Sequence, residues 1–112
     1  MKVYRGTRTE GGTQVEVEVD GHIRLLDPRL DLRTHSSTGL EWGYGGSGPA
    51  QLALALAADV LGDDDRAAAL YQRLKFKLVG GLDRDAWVLT EERLRHTLDR
   101  IEHEQSHPLP PG

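Results

Sequence analysis

The N-terminal part of the chain alternates apolar and polar residues with the period of a β-strand. In residues 15–19 three valines alternate with two glutamates, which puts the valines on one face of a strand and the carboxylates on the other. Asp20-Gly21 is a two-residue hairpin signal, because both turn positions need a positive φ. With residues 3–8 as a preceding strand and residues 22–26 as the returning strand, the pattern predicts a three-stranded antiparallel meander.

A short triplet of leucine, aspartate and leucine follows at residues 30–32, after the turn that Asp27-Pro28 predicts. We take this triplet as a candidate fourth strand at the edge of the sheet. The meander is therefore expected to contain three to four strands. The chain then enters a long loop, residues 34–48.

The next segment, residues 49–61, has the composition of a buried helix. Its opening proline suits a first helical turn, Ser47 or Gly48 can serve as the N-cap, and Gly62 suits the position after the C-terminus. Gln51 is the only strongly polar residue in the first ten positions of this segment. A helix that is apolar nearly all round must be buried on most sides, so we expect it to pack centrally, under the sheet.

A second helix is expected over residues 64–79. Aspartates at 63–65 place negative charge at its N-terminus, where the helix dipole favours it, and Gly80-Gly81 ends it. Its expected buried face consists of Ala67, Leu70, Tyr71, Leu74 and Leu78.

The third helix is expected to begin after Thr90 as its N-cap, with Leu89 and Leu94 as a hydrophobic staple. Leu94, Leu98 and Ile101 form a narrow apolar line, which predicts a helix on the surface of the domain.

Together these patterns predict an α+β fold in which an N-terminal antiparallel meander packs on three helices. We expect residues 1–106 to form a single domain and the Pro-rich residues 107–112 to be a disordered tail.

Composition narrows the range of functions. The 112 residues include no cysteine, which excludes disulfides, thiolate zinc sites and a cysteine nucleophile and suits the reducing cytoplasm. No apolar run approaches the ~20 residues that a bilayer requires, so no membrane association is expected. A net charge of -4 and a pI near 5.7 make nucleic acid an unlikely direct target, since phosphate binding requires clustered cations.

Four glycines fall between positions 43 and 48, and this segment matches the G-x-G-x-x-G pattern at the start of a helix. Such a helix start presents backbone N–H groups to an anion. A dinucleotide fold would also need a parallel strand and a terminal acid after the helix, whereas a second helix follows, and a Walker loop would need a lysine. The structural alternative is that the glycines let the chain pass close to the sheet, with Trp42 and Tyr44 as core aromatics.

His103 and His107 fall in an H-E-x-x-H pattern, which in zinc proteins supplies two ligands and a general base. Here the pattern lies at the end of a helix, Pro108 follows at once, and no histidine or acid remains downstream to complete the shell. We therefore expect no metal and no cofactor.

His35, Ser36 and Ser47 suggest a hydrolase in which a serine is the nucleophile and histidine the base. The same residues are typical of a turn in which hydroxyl groups bond the local backbone. Nothing in the sequence sets their geometry, and no catalytic residue is assigned.

The run at residues 35–54, which contains EWGYGGSGPAQLAL at 41–54, resembles a family of small uncharacterised bacterial and phage-borne proteins known as a domain of unknown function. The similarity extends from Tyr4 to Thr90 and covers most of the chain. Leu40 and Phe76 depart from the residues expected at their positions. The resemblance implies no established activity, cofactor or catalytic residue. Occurrence in phages and mobile elements implies an accessory role.

We define residues 42–51 as the glycine loop and expect it to be the functional surface of a small binding or regulatory protein. The expected partner is a protein, with host-defence or mobile-element proteins as candidates, because loop aromatics are common interface anchors. One alternative is a nucleotide or other anionic small molecule at the N-terminus of the helix over residues 49–61, and a second is a His35-dependent hydrolase. The candidate binding residues are His35, Ser36, Trp42, Tyr44, Gly45, Gly46, Ser47 and Gln51.

Overall fold

The computed structural model describes residues 1–37 and 39–107. Its strands are β1 (Lys2–Thr9), β2 (Gly12–Val19), β3 (His22–Leu25) and β4 (Ala86–Thr90). Its helices are α1 (Ser47–Leu61), α2 (Asp64–Lys77) and α3 (Glu91–Ser106), with a 3₁₀ turn at Val79–Gly81 between α2 and β4. Among the described residues, none of the helices combines the length and the apolar character needed to cross a membrane.

The four strands form one antiparallel sheet in the order β3-β2-β1-β4. This confirms the predicted α+β class and the predicted meander, including the hairpin, where Asp20 and Gly21 both have positive φ values of 52° and 84°. The predicted edge strand at residues 30–32 is wrong. That segment is a turn in which Leu32 N–H donates to the Arg29 carbonyl at 3.0 Å.

The fourth strand instead comes from the second half of the chain, where β4 pairs with β1. Trp87 and Leu89 of β4 point into the core and Val88 points to solvent, the alternation of a half-buried strand. The Trp87 ring lies directly over β1, where a Cβ added to Gly6 would approach it to 2.3 Å. Glycine is therefore required at this position by the close approach of an aromatic ring.

Helix α1 is the centre of the molecule, as predicted, and its residues 48–58 are all buried. The predicted N-cap at Ser47 or Gly48 is wrong, because the helix already begins at Ser47. Ala50 N–H donates to the carbonyl of Gly46, the actual N-cap, at 3.0 Å. Gly62 ends the helix in the left-handed conformation, with φ 63°, as predicted.

The other two helices follow their predicted patterns closely. Helix α2 ends at Lys77, two residues before the predicted end; Leu78 is its C-cap, and Val79 begins the 3₁₀ turn. Thr90 caps α3 by accepting a hydrogen bond from Arg93 N–H at 3.1 Å. Both predicted buried stripes are buried. The predicted tail at 107–112 falls, apart from His107, outside the described residues.

Candidate binding surface at the glycine loop

The start of the glycine loop is anchored in the core by Trp42. The indole is wholly buried, meets the Trp87 ring edge-on with centroids 5.5 Å apart, and donates from Nε1 to the Arg84 carbonyl at 3.1 Å. The next residue, Gly43, has a φ of 84° and donates its N–H to the Val79 carbonyl at 3.1 Å. These bonds attach the loop to the segment that leads into β4.

An ion pair holds the same region from the side of β1. Arg8 donates to both carboxylate oxygens of Glu41 at 3.0 and 2.7 Å and to the Arg84 carbonyl at 2.8 Å. Its guanidinium also lies 5.2 Å from the centre of the Trp42 ring. Hydrogen bonding to Arg8 lowers the pKa of the Glu41 carboxyl, so this side chain is ionised at neutral pH.

Sequence analysis did not assign Arg8 to the site. A signal was available, because Arg8 follows Tyr4 and Gly6 at the strand period of two and therefore faces inward with them.

The Tyr44 side chain packs against Gly46 and Gly48 at the start of α1. A Cβ at Gly46 would come within 2.7 Å of the Tyr44 ring, and a Cβ at Gly48 within 2.5 Å of the Glu41 side chain. A side chain at position 46 would therefore displace the Tyr44 ring, and one at position 48 would displace the Glu41 side chain. The Tyr44 ring is 47% exposed, so it presents an aromatic face to solvent and is not the core residue considered from sequence.

Gln51 forms side-chain hydrogen bonds with the loop at residues 28–36, which precedes the glycine loop. Its side chain is 0% exposed, and its carbonyl oxygen accepts from His35 N–H at 2.8 Å and from Ser36 N–H at 3.2 Å. Its amide nitrogen donates to the carbonyls of Pro28 at 2.6 Å and Arg33 at 3.0 Å. Its side chain therefore fastens the segment from 28 to 36 onto α1 and does not reach the surface where a partner would bind.

The His35 imidazole is turned toward α2. Its Nε2 lies 2.7 Å from the Tyr71 hydroxyl, which also accepts a hydrogen bond from Gln72 Nε2 at 3.1 Å. The Ser36 hydroxyl donates to the Gly39 carbonyl at 2.9 Å, the local turn bond considered from sequence. His35 therefore has a tyrosine, not a serine, at the ring nitrogen that a hydrolase would use, and the hydrolase hypothesis stays a prediction.

Two hollows lie side by side on the surface next to the glycine loop. One, of about 310 Å³, is mainly apolar, with a lining that includes Val15, Leu25, Leu26, Pro28 and Leu40. The other, of about 240 Å³, lies at the start of α1 and includes Leu40, Glu41, Tyr44, Ser47 and Gly48 in its lining. Both are lined by Thr13, Gly39 and Leu40, and we call the combined depression the Leu40 groove.

Among the described residues, no strand pairs with the start of β2 on the side that faces this groove. Strand β2 has eight residues but its neighbour β3 has four, and Leu26, the residue after β3, donates its N–H to the Val15 carbonyl at 3.0 Å. In a strand, the backbone N–H and C=O groups of alternate residues point to the same side. Those of Thr13 therefore point in the same direction as those of Val15, toward the position beyond the end of β3. The Thr13 hydroxyl donates to the Leu40 carbonyl at 2.6 Å and ties the strand to the floor of the groove.

The structure thus separates the eight candidate residues into distinct environments. Ser36, Tyr44 and Ser47 line one hollow, and Gly45 is exposed beside them. Trp42 and Gln51 are buried supports. Sequence reasoning did not identify the groove itself, because Thr13, Leu26 and Leu40 come from three segments that only the fold brings together.

The H-E-x-x-H residues lie at the end of α3. The rings of His103 and His107 stack with centroids 4.3 Å apart, and His107 Nδ1 is 3.1 Å from the His103 carbonyl. Over residues 1–37 and 39–107, no three histidine or acidic side chains are grouped so that they could hold a metal ion.

Comparison with known proteins identifies one family. The model of a family of unknown function, DUF6166, matches residues 4–100. No curated protein and no solved structure matches the chain. The match confirms the expected membership of a family of unknown function, while the expected bacterial or phage origin stays a prediction.

Proposed function

The chain belongs to the DUF6166 family, whose function is unknown, and we propose that it is a binding module that holds an extended segment of a partner protein in the Leu40 groove. The observation that carries this proposal is that β3 is shorter than β2, so that among the described residues no strand pairs with β2 at Thr13 on the side of β3. Thr13 lines both the apolar hollow and the hollow that contains the exposed Tyr44. An extended segment can bond to such an edge through its backbone and place alternate side chains in the hollows.

The rigidity of the surroundings supports binding. The hydrogen bonds described above tie the walls of the groove to the segment before β4 through Trp42, to β1 through Arg8 and to α1 through Gln51. A surface that is already ordered loses little conformational entropy when a partner docks, so more of the contact energy appears as affinity.

The side chains that line the groove indicate which residues the bound segment should contain. An apolar side chain in the hollow of Val15, Leu26 and Leu40 would leave water, which contributes about 1.5–3 kcal/mol for a residue the size of leucine. Tyr44 offers an aromatic face to a second side chain, and aromatic anchors are frequent centres of binding energy. The expected motif is a short extended segment with apolar residues.

A protein that binds a segment of a partner in this way would act as a small accessory or regulatory protein, and we place it in the cytoplasm. The resemblance to phage-borne proteins motivates the choice of a host-defence or mobile-element protein as the first class of partner to examine.

A nucleotide or other anion at the start of α1 is the second candidate. The first turn of α1 carries no acidic residue and its N-cap, Gly46, has no capping side chain, which leaves the helix dipole unopposed there. The carboxylate-bearing Glu41 lines the same hollow and disfavours an anion, so we place this candidate after the peptide. Thermal melts of the parent chain with and without nucleotides test this candidate, and the absence of any nucleotide-dependent shift in melting temperature would contradict it.

The test is capture of partners from the native host with the intact chain, followed by mapping of the minimal bound segment and titration of that peptide. We expect Tyr44→Ala and Leu40→Ser each to weaken peptide binding tenfold or more, which corresponds to about 1.4 kcal/mol. Val88→Ser, an exposed apolar residue on the opposite face of the sheet, is the matched control and should bind as the parent does. Undiminished peptide binding by folded Tyr44→Ala and Leu40→Ser would place the binding surface elsewhere.

A further inference from the structure

Helix α2 carries an apolar and charged stripe on the face that points away from the core. Its buried face consists of Ala67, Leu70, Tyr71 and Leu74. The opposite face presents Asp65, Ala68, Gln72 and Phe76, all exposed, at the helical spacing of three to four residues. Phe76, in the last turn of α2, is 74% exposed, and the Lys75 ammonium lies 4.4 Å from the centre of its ring.

The charges on this helix are divided between its ends. Asp64 and Asp65 lie in the first turn, and Lys75 and Lys77 lie in the last turn, with Arg73 close by. Several of these charges already have partners, since Asp64 pairs with Arg29 at 2.8 Å and Lys77 with Glu104 at 3.1 Å. Across residues 1–37 and 39–107, neither Asp65 nor Arg73 takes part in an ion pair.

We propose that this face of α2 binds a second copy of the chain, with the two α2 helices packed antiparallel about a two-fold axis. Antiparallel packing puts the acidic end of each helix beside the basic end of the other, so the charges on one surface complement themselves. A pair centred between positions 70 and 71 places Arg73 within one turn of Asp65 of the second copy. It also places Phe76 within one turn of Ala68 of the second copy, where the small side chain leaves room for the ring.

The area available decides the strength of this association. One exposed face of a 14-residue helix is small, so the dimer belongs with the weak, transient interfaces of less than about 1,200 Å². We expect a dissociation constant on the order of 10 μM or weaker that rises with salt, since exposed charge pairs are screened.

This inference goes beyond the proposed peptide binding and uses a different surface, because α2 contributes no residue to the lining of the Leu40 groove. Dimerisation through α2 therefore does not use the residues that line either groove. The dimer would then be bivalent and would hold a partner with two copies of the bound segment more tightly than a monomer does.

The experiment is sedimentation equilibrium of the full chain from micromolar to submillimolar concentration, at low and high salt. We expect Asp65→Arg and Arg73→Asp each to raise the dissociation constant of the dimer tenfold or more, and the double variant to return it to within about threefold of the parent. Phe76→Ser should abolish association, while Val88→Ser, which removes a comparably exposed apolar group from the sheet, should not.

Circular dichroism verifies that each variant is folded. A parent chain that stays monomeric throughout the concentration range would overturn the proposal. So would unchanged dimerisation of Phe76→Ser, or a double charge variant no better than the single ones. None of these outcomes depends on whether the Leu40 groove binds a peptide, because no peptide is present.

Discussion

At the scale of single residues, Gln51 illustrates how one buried polar side chain determines the path of a loop. It faces no water, and both ends of its amide are used by backbone groups from the segment that precedes the glycine loop. That segment contains no strand or helix of its own and depends on such bonds for its position. The groove wall that contains Pro28 is therefore attached to α1 through Gln51.

We predict that Gln51→Ala lowers the free energy of unfolding by about 2–4 kcal/mol, because it leaves two carbonyls and two N–H groups without their bonds. Urea unfolding followed by circular dichroism measures the change. Ser47→Ala is the control, since this exposed residue makes no capping bond and should cost under about 0.5 kcal/mol. Equal losses in the two variants would show that the Gln51 bonds contribute little to stability.

A second prediction at this scale concerns the glycines under Tyr44. A methyl group at Gly46 would meet the Tyr44 ring, whereas the space around Gly45 is open. We expect Gly46→Ala to displace the ring and weaken binding of the mapped peptide severalfold, with a stability change of under about 1.5 kcal/mol, because a half-exposed ring can move. Gly45→Ala is the matched control and should bind normally. Equal peptide affinity in both variants would show that Tyr44 is not part of the binding surface.

At the scale of secondary-structure elements, α1 holds the domain together. It contacts both α2 and α3, and at Asp59 it bonds to β1. The leucines and alanines between positions 50 and 58 have no exposed side on which a polar group could reach water.

We predict that Leu54→Asp abolishes cooperative unfolding, because an unpaired buried charge costs several kcal/mol against a total stability of about 5–15 kcal/mol. Ala68→Asp, on the exposed face of α2, should unfold within a few degrees of the parent. Thermal melts of the two variants test this, and a cooperative melt of Leu54→Asp near the parent temperature would contradict the central position of α1.

Strand β4 depends on packing as much as on hydrogen bonds. The Trp87 ring occupies the space above Gly6 of β1. We expect Gly6→Ala to destabilise the protein by about 1–3 kcal/mol, the usual cost of overpacking a filled core. Gly11→Ala, whose new methyl group would have no neighbour closer than 3.8 Å, should be nearly neutral in the same denaturation experiment. A neutral Gly6→Ala would mean that the Trp87 ring is free to shift.

At the scale of the whole molecule, Asp59 joins β1, β3 and α1. Its carboxylate accepts from the Tyr4 hydroxyl at 2.7 Å, Arg24 at 2.7 Å and the Lys2 ammonium at 3.1 Å. Burial by itself raises the pKa of the Asp59 carboxyl, but the bonds from Tyr4, Arg24 and Lys2 outweigh it and lower the pKa. The Tyr4 hydroxyl has the opposite response, since burial and the bond to Asp59 raise its pKa.

This cluster predicts a dependence of stability on acidity. Because folding lowers the pKa of Asp59 below the 3.8 of an unperturbed aspartate, the stabilisation is complete above that value and is lost as the pH falls through the lower pKa of the folded state. We expect the unfolding free energy of Asp59→Asn to fall less steeply than that of the parent between about pH 5 and 2. Asp99→Asn, an exposed carboxylate of α3, should keep the parent slope, and a parent slope in Asp59→Asn would contradict the role of the cluster.

Sequence patterns located most elements but not their partners. The hairpin at Asp20-Gly21, the end of α1 at Gly62 and the cap of α3 at Thr90 depend on bonds between residues close in the chain, so local chemistry predicts them. The sequence does not predict β4, because its few residues become a strand only by pairing with β1, which is far away along the chain. The triplet at 30–32 has a similar apolar pattern but finds no strand partner.

At the candidate site, too, some properties follow from the sequence and others only from the tertiary structure. The sequence by itself determined that α1 is buried, that glycines crowd its start and that Gln51 is the exceptional polar residue there, because composition and periodicity set these properties. Only the tertiary structure decided that Gln51 supports a loop from inside, that Arg8 clamps Glu41 and that Tyr44 remains exposed. Each of these outcomes is a contact between segments distant in the chain, and the free energy of such a contact depends on the complete packing around it.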